Sequence, residues 1–304
     1  MNNQGGADGS AVPLAEIVAY LDDYLRIRTV PDERNAVNGL QVENRGLVGG
    51  IVAAVDASQA TIDGVIADLG GREGPPPLVL VHHGLLWDGN VALTGRRYRR
   101  LAALLEHDIP LYAAHIPLDL HPTVGNNVVL AERLGLAVEG WFGDYKGAPI
   151  GVWGHAPARL VPRASLVAEV NHALGTIDPG ARLIAGGPER VARVGIITGG
   201  AGSMIGAAHD AGLDTYITGE GAHYTYFDAV EWGLNVIFAG HYATETLGCR
   251  RWPRISPSGS TWTGSSTTTR PACDRAARAR PPRHPETLRL RAGPARGRFH
   301  ADAG

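Results

Sequence analysis

Two hydrophobic rhythms alternate along most of the chain. Apolar residues recur at helical spacing in LAEIVAYLDDYLRI (14–27), QATIDGVIADLG (59–70), RRYRRLAALLEHD (96–108), GNNVVLAERLGL (125–136), ASLVAEVNHALG (164–175), SMIGAAHDAG (203–212) and AHYTYFDAVEWG (222–233). Between them lie short apolar runs: GIVAAVDAS (50–58), PLVLVHHG (77–84), IPLYAAHIPLD (109–119), GAPIGVWGHA (147–156), VARVGIITGGAG (191–202), DTYITGE (214–220) and LNVIFAG (234–240). Helix following strand in this way predicts an α/β fold whose strands are buried on both faces. No fixed-period repeat stands out.

Length and composition add bounds. The 304 residues suffice for one large or two modest domains, and a hydrophobic content of 44% is that of an ordinary globular protein. No continuous apolar stretch approaches the roughly 18 residues of a membrane helix. The N-terminus MNNQGGADGSAVP has neither the basic start nor the apolar core of a secretion signal, so residues 1–13 are expected to be disordered and the protein cytoplasmic. Two cysteines, Cys249 and Cys273, are too few for a disulfide framework. The net charge of −2 conceals an asymmetry: residues 249–304 carry 12 Arg and 3 acidic residues, so the rest is strongly acidic.

The polar residues gather where sheets of this class bind ligands, at the carboxyl ends of the strands. VLVHHG ends in His82 and His83, YAAHIPLD offers His115 and Asp119, and VIFAGHYATE offers His241 and Glu245. Adjacent histidines in a regular strand face opposite ways; a bend at Gly84 lets both turn to one cavity, or one to each of two metals. His-x-x-x-carboxylate spacing spans one helical turn, so its two groups can converge. Taken singly, each motif reads as readily as a core pair or a surface i,i+4 pair. At three successive strand ends they point to metal. Imidazole and carboxylate suit zinc, iron or manganese, and the donors outnumber the needs of one tetrahedral ion. TGGAGSM is either an anion-binding strand-to-helix turn or simply a tight turn. Glu220 and His223 are candidates for the same cavity, or else a helix N-terminal acid and a surface histidine. Asn38 orients a ligand or makes a turn with Gly39.

The segments NGLQVE, HHG, HIPLDLHPTVGNN, TGGAG, TGEGAHYTYFDA and GHYATETLG, in this order, resemble the Nif-three-like dinuclear metal-centre family, whose members are named GTP cyclohydrolase 1 type 2 homologues. The resemblance implies two similar α/β lobes around a two-metal site: 14–125 with 238–248 as the metal-binding lobe, and 126–237 as the second. It implies His82, His83, Asp119, His241 and Glu245 as ligands of two divalent transition-metal ions (Zn, Fe or Mn). His82 and His83 would serve different metals and Glu245 would bridge. It also implies a toroidal homohexamer with its sites facing the inner cavity. The matching activity is hydrolytic opening of a purine nucleotide ring, with water attacking C8 of GTP and His115 or His223 moving protons. A phosphoesterase and a metal-dependent regulatory protein without turnover are the alternatives.

Residues 249–304 depart from that pattern: they are rich in Arg, Pro, Ser and Thr and carry little apolar periodicity. They read either as a disordered basic tail suited to nucleic acid, or as GC-rich DNA translated out of frame. We favour the second, because a frame shifted after Leu247 can be read, with permissive codon choices, as an amphipathic helix followed by a strand. Sequencing the coding DNA should then reveal a shift near codons 247–249, and protease should remove the tail well before it cuts the body. A confirmed frame with a tail as resistant as the body would overturn this. It would also turn attention to salt-dependent nucleic-acid binding.

Overall fold

The computed structural model describes residues 11–70, 74–175 and 180–251. The expectations for residues 1–13 and 249–304 fall largely outside that range; where it reaches them, Val12–Pro13 form a strand paired with Leu47–Val48, and Cys249 is buried at the end of a helix, rather than disordered. The chain runs β1 (Val12–Pro13), α1 (Leu14–Tyr24), β2 (Gly39–Val42), β3 (Leu47–Val48), β4 (Ile51–Asp56), α2 (Gln59–Leu69), β5 (Leu78–His83), α3 (Gly95–Glu106), β6 (Leu111–Ala113) and α4 (Ile116–Asp119). It continues with α5 (Asn126–Leu134), β7 (Gly140–Tyr145), β8 (Ala148–His155), α6 (Arg163–Leu174), β9 (Arg182–Ala185), β10 (Arg193–Ile196), α7 (Ile205–Asp210), β11 (Thr215–Thr218), α8 (Thr225–Glu231), β12 (Asn235–Phe238) and α9 (His241–Cys249).

Two sheets share one plan. In the first, β4, β5 and β6 are parallel neighbours, and β2 pairs antiparallel with β6. In the second, β10, β11 and β12 are parallel neighbours, and β9 pairs antiparallel with β12. The hairpin β7–β8 extends the second sheet beyond β10. Each plan is therefore a run of successive βαβ crossovers closed by an antiparallel strand drawn from earlier in the chain. This is the mixed α/β architecture that the hydrophobic pattern predicts. The continuous apolar run of β5, with Leu78, Val79, Leu80 and Val81 all fully buried, shows why such strands need cover on both faces.

Helix α9 lies between the sheets. Ala243 and Leu247 join the core under the second sheet, whereas Cys249 joins the core under the first. Two asparagines in GNN fasten the junction. Asn126 donates to Asp119 Oδ1 and accepts from Gly248 N–H, at 2.8 and 2.7 Å. Asn127 donates to the Ile150 carbonyl at 2.7 Å and accepts from Thr198 N–H at 2.8 Å. Both side chains are fully buried, and three of these four bonds reach segments 23 to 122 positions away.

The pattern-based reading requires some additions. Strands β2, β7 and β9 were not among the expected elements. All three lie at sheet edges, where half-exposed residues blur the apolar run, and glycines at 39, 140 and 143 interrupt two of them. The end of the run at 109–119 is a helical turn, with Pro117 in its first turn.

Substituting Asn127 tests the junction. Asn127→Ala would leave the Thr198 N–H and Ile150 carbonyl unpaired, and we expect a loss of about 2–4 kcal/mol in urea unfolding. An unchanged midpoint would show that the junction does not depend on it.

Candidate metal centre

The carboxyl ends of both parallel runs open onto one cluster. His82 and His83 end β5, and their rings stand 4.7 Å apart, centroid to centroid, both turned to the cluster. Gly84 permits the bend: a Cβ there would fall 2.3 Å from the Gln41 side chain, which accepts from Leu85 N–H at 2.7 Å. His115 precedes α4 and Asp119 ends it, so that helical turn brings both groups inward. His241 and Glu245 stand one turn apart at the start of α9, their nearest atoms 3.0 Å apart. The His-x-x-x-carboxylate pairs thus occupy matching places, just after the last parallel strand of each sheet.

All the histidines are oriented in the same way. His82 Nδ1 lies 3.0 Å from the Ala114 carbonyl. His83 Nδ1 lies 2.9 Å from Asp56, His115 Nδ1 2.8 Å from Asp32, and His241 Nδ1 2.9 Å from Glu220. Each Nδ1–H therefore donates outward, which leaves each Nε2 lone pair for the interior. This is the usual arrangement around metal-bound imidazoles. Asn38 steadies it, donating to Asp32 at 2.7 Å and accepting from His115 N–H at 2.8 Å.

Glu245 sits at the middle, only 2% exposed. One of its oxygens lies 3.0 Å from His241 Nε2 and 3.4 Å from His82 Nε2; the other lies 3.6 Å from His83 Nε2. His82 Nε2 is also 3.6 Å from Asp119. Ligand atoms of His82, His83 and His115 lie within 4.8 Å of one another, as do those of His83, His241 and Glu245.

The residues present fit a cation. His82 Nε2 and Glu245 Oε2 are buried without a hydrogen-bond partner, and an orphaned buried acceptor is costly unless something positive meets it. The electrostatics say the same. Burial disfavours a charged His82, yet Asp119 and Glu245 outweigh it and hold its pKa up to about 10. His241 is pushed up to about 9, chiefly by its bond to Glu245. Burial raises the Asp119 carboxyl, whereas Glu245, although buried, is held below its ordinary range mainly by His82 and His241. Protons supply the positive charge that the carboxylates demand when no cation does.

The structure brings together every expected ligand, and His115 joins them as a potential ligand. Glu220 reaches the site through His241. His223 does not: it is exposed before α8 and meets Phe227 edge-on at 5.5 Å. In the TGGAG turn, Thr198 N–H is bonded to Asn127, Gly199 N–H to Thr244 and Gly202 N–H to the Glu220 carbonyl. Asp56 and Asp32 were not singled out. Asp56 stands at a visible strand end, whereas nothing in the loop TVPDERN marks Asp32 before the fold brings it to His115.

Gly199 provides a test of the packing around Glu245. Its φ of +75° and a Cβ that would fall 2.3 Å from Glu245 Oε1 both demand glycine. Gly199→Ala should cost about 1–3 kcal/mol in thermal or urea unfolding. A variant as stable as the parent would show that the turn tolerates a side chain.

Several known proteins resemble this chain. The family model described as Duf34/NIF3 (NGG1p interacting factor 3) matches residues 12–254. A Deinococcus radiodurans protein named GTP cyclohydrolase 1 type 2 homolog is 40% identical over 235 residues, covering 77% of this chain and 85% of its own. A Treponema pallidum protein of the same name is 39% identical over 264 residues, covering 77% and 90%. Among solved structures, protein ybgI, of unknown function, superposes with a TM-score of 0.71 at 37% identity, covering 79% of this chain and 92% of its own. TTHA1606 from Thermus thermophilus gives 0.68 at 34% identity, with 79% and 91% covered.

Proposed function

The chain belongs to the Duf34/NIF3 family, and from that premise we propose that it is a dinuclear-metal protein of hydrolase type acting on a purine nucleotide. His82, His83, Asp119, His241 and Glu245 would hold two divalent ions, zinc, iron or manganese. The observation that supports this is the common orientation of the imidazoles, each with Nδ1 anchored outward, and with Nε2 of His82, His83 and His241 facing Glu245. The substrate class comes from the names of the relatives, GTP cyclohydrolase 1 type 2 homolog.

Ions of this kind, when bound, polarise a substrate oxygen and lower the pKa of water. The chain's own groups do the rest. Asp56, Asp32 and Glu220 fix three of the rings, so little reorganisation is needed when substrate arrives. His115, with Nδ1 held by Asp32, is the group we assign to proton movement, at Nε2. Trp87 packs edge-on to it at 4.8 Å and shields that face from water. The exposed His223 has no part in this scheme. No described helix is long and apolar enough to cross a membrane. We further propose a ring-shaped homohexamer, as the family resemblance implies, which the altered tail could weaken; light scattering reports it, and a strictly monomeric species from a frame-corrected chain would count against it.

Reconstitution should yield about two transition-metal ions per chain, and Glu245→Ala should lose one or both. Metal analysis finding less than roughly half an ion per chain would sink the reading. Loaded protein is then screened against nucleotides and phosphoesters with product analysis. A ring-opened product from GTP supports the cyclohydrolase reading. Phosphate release supports a phosphoesterase, and tight metal binding without turnover supports a regulatory protein.

A further inference from the structure

A cavity of about 200 Å³ opens beside His83, walled by the start of α2, the turn after β5 and the first turns of α3. That volume suits a chemical group of a ligand better than a whole one. Its polar lining is mostly committed. Asp56 receives the Nδ1–H of His83. Asp88 is held by Arg96 at 2.7 Å and by Arg97 at 3.1 Å. Ser58 Oγ caps α2, accepting from Thr61 N–H at 3.1 Å.

Two donors remain. Arg100 spends one N–H on the Ala57 carbonyl at 3.1 Å, but its Nε is buried without a partner. Among the described residues no carboxylate forms an ion pair with it. Burial, and then the neighbouring Arg96, lower its pKa, and the attraction of Asp88 only partly offsets them. Trp87 Nε1 is likewise buried without a partner. Both residues line the same cavity as His83. Besides Asp56, Ala57 ties the cavity to the cluster: it accepts from Arg100 and donates its N–H to the His83 carbonyl at 2.9 Å.

We propose that this cavity is an anion subsite, in which Arg100 and the Trp87 indole N–H bind the phosphate of a phosphorylated substrate whose reacting part lies over the histidine cluster. A guanidinium donates to oxyanions with several N–H groups at once, and an indole N–H can only donate, so the pair selects an acceptor-rich, negatively charged group. The two carboxylates in the lining do not oppose this, because each is already bonded to a cation or an imidazole. The subsite rests on the metal-centre reading for the placement of the reacting part, but its own chemistry does not.

The test uses the full chain reconstituted with metal, its metal content measured, and inorganic phosphate as the calorimetric probe. Arg100→Met keeps the apolar stem and removes the guanidinium; it should weaken phosphate binding about tenfold or more with metal content unchanged. Arg100→Lys should recover part of the loss, as a point charge without the fork. Equal phosphate affinity in Arg100→Met and the parent, or a loaded parent that binds no phosphate, overturns the proposal. Should no version of the chain retain metal while phosphate binding still depends on Arg100, the subsite stands and the metal-centre reading falls.

Discussion

A buried carboxylate that cannot be left alone governs this molecule. Glu245 is nearly sealed from water yet held ionised, and only positive charge close by makes that tolerable. Its surroundings answer that need. His82 from β5 and His241 from its own helix meet one oxygen, and His83 meets the other. To bring those groups within reach, two sheets must end at the same place, and α9 must thread between them with one core on either side.

The two sheets supply that convergence through a shared plan. Each follows its last parallel strand with a histidine and, one helical turn on, a carboxylate, at His115 and Asp119 in one and at His241 and Glu245 in the other. Each has its outward imidazole nitrogen anchored by an acid drawn from elsewhere, Asp32 or Glu220. The adjacent pair on β5 has no counterpart on β11, where Gly219 and Glu220 follow the strand. The centre is therefore lopsided, richer in imidazole on the first sheet's side.

Much of this was legible in the chain before folding. Apolar runs broken by helical periods marked the parallel strands, because strands covered on both faces must be apolar throughout. The ligand candidates were legible because they sit at the ends of those runs. The edge strands β2, β7 and β9 were not, since an edge strand is half wet and its pattern weak. Nor was Asp32, whose role exists only once a loop folds over His115 across 83 positions of sequence. His223 misled for the opposite reason. It neighbours Glu220 in sequence, but the turn into α8 carries it out to solvent.

Helix α9 is the last element of the described chain, and it contributes Glu245, the group on which the cluster centres. It is locked by a bond spanning 122 positions, from Gly248 back to Asn126. During synthesis the first sheet can pair and pack long before that helix leaves the ribosome, since its crossovers are local. Until then His82 has Asp119 beside it but lacks its second counter-charge, Glu245. The complete cluster therefore requires a chain made through residue 245, and α9 is the element that brings its central carboxylate.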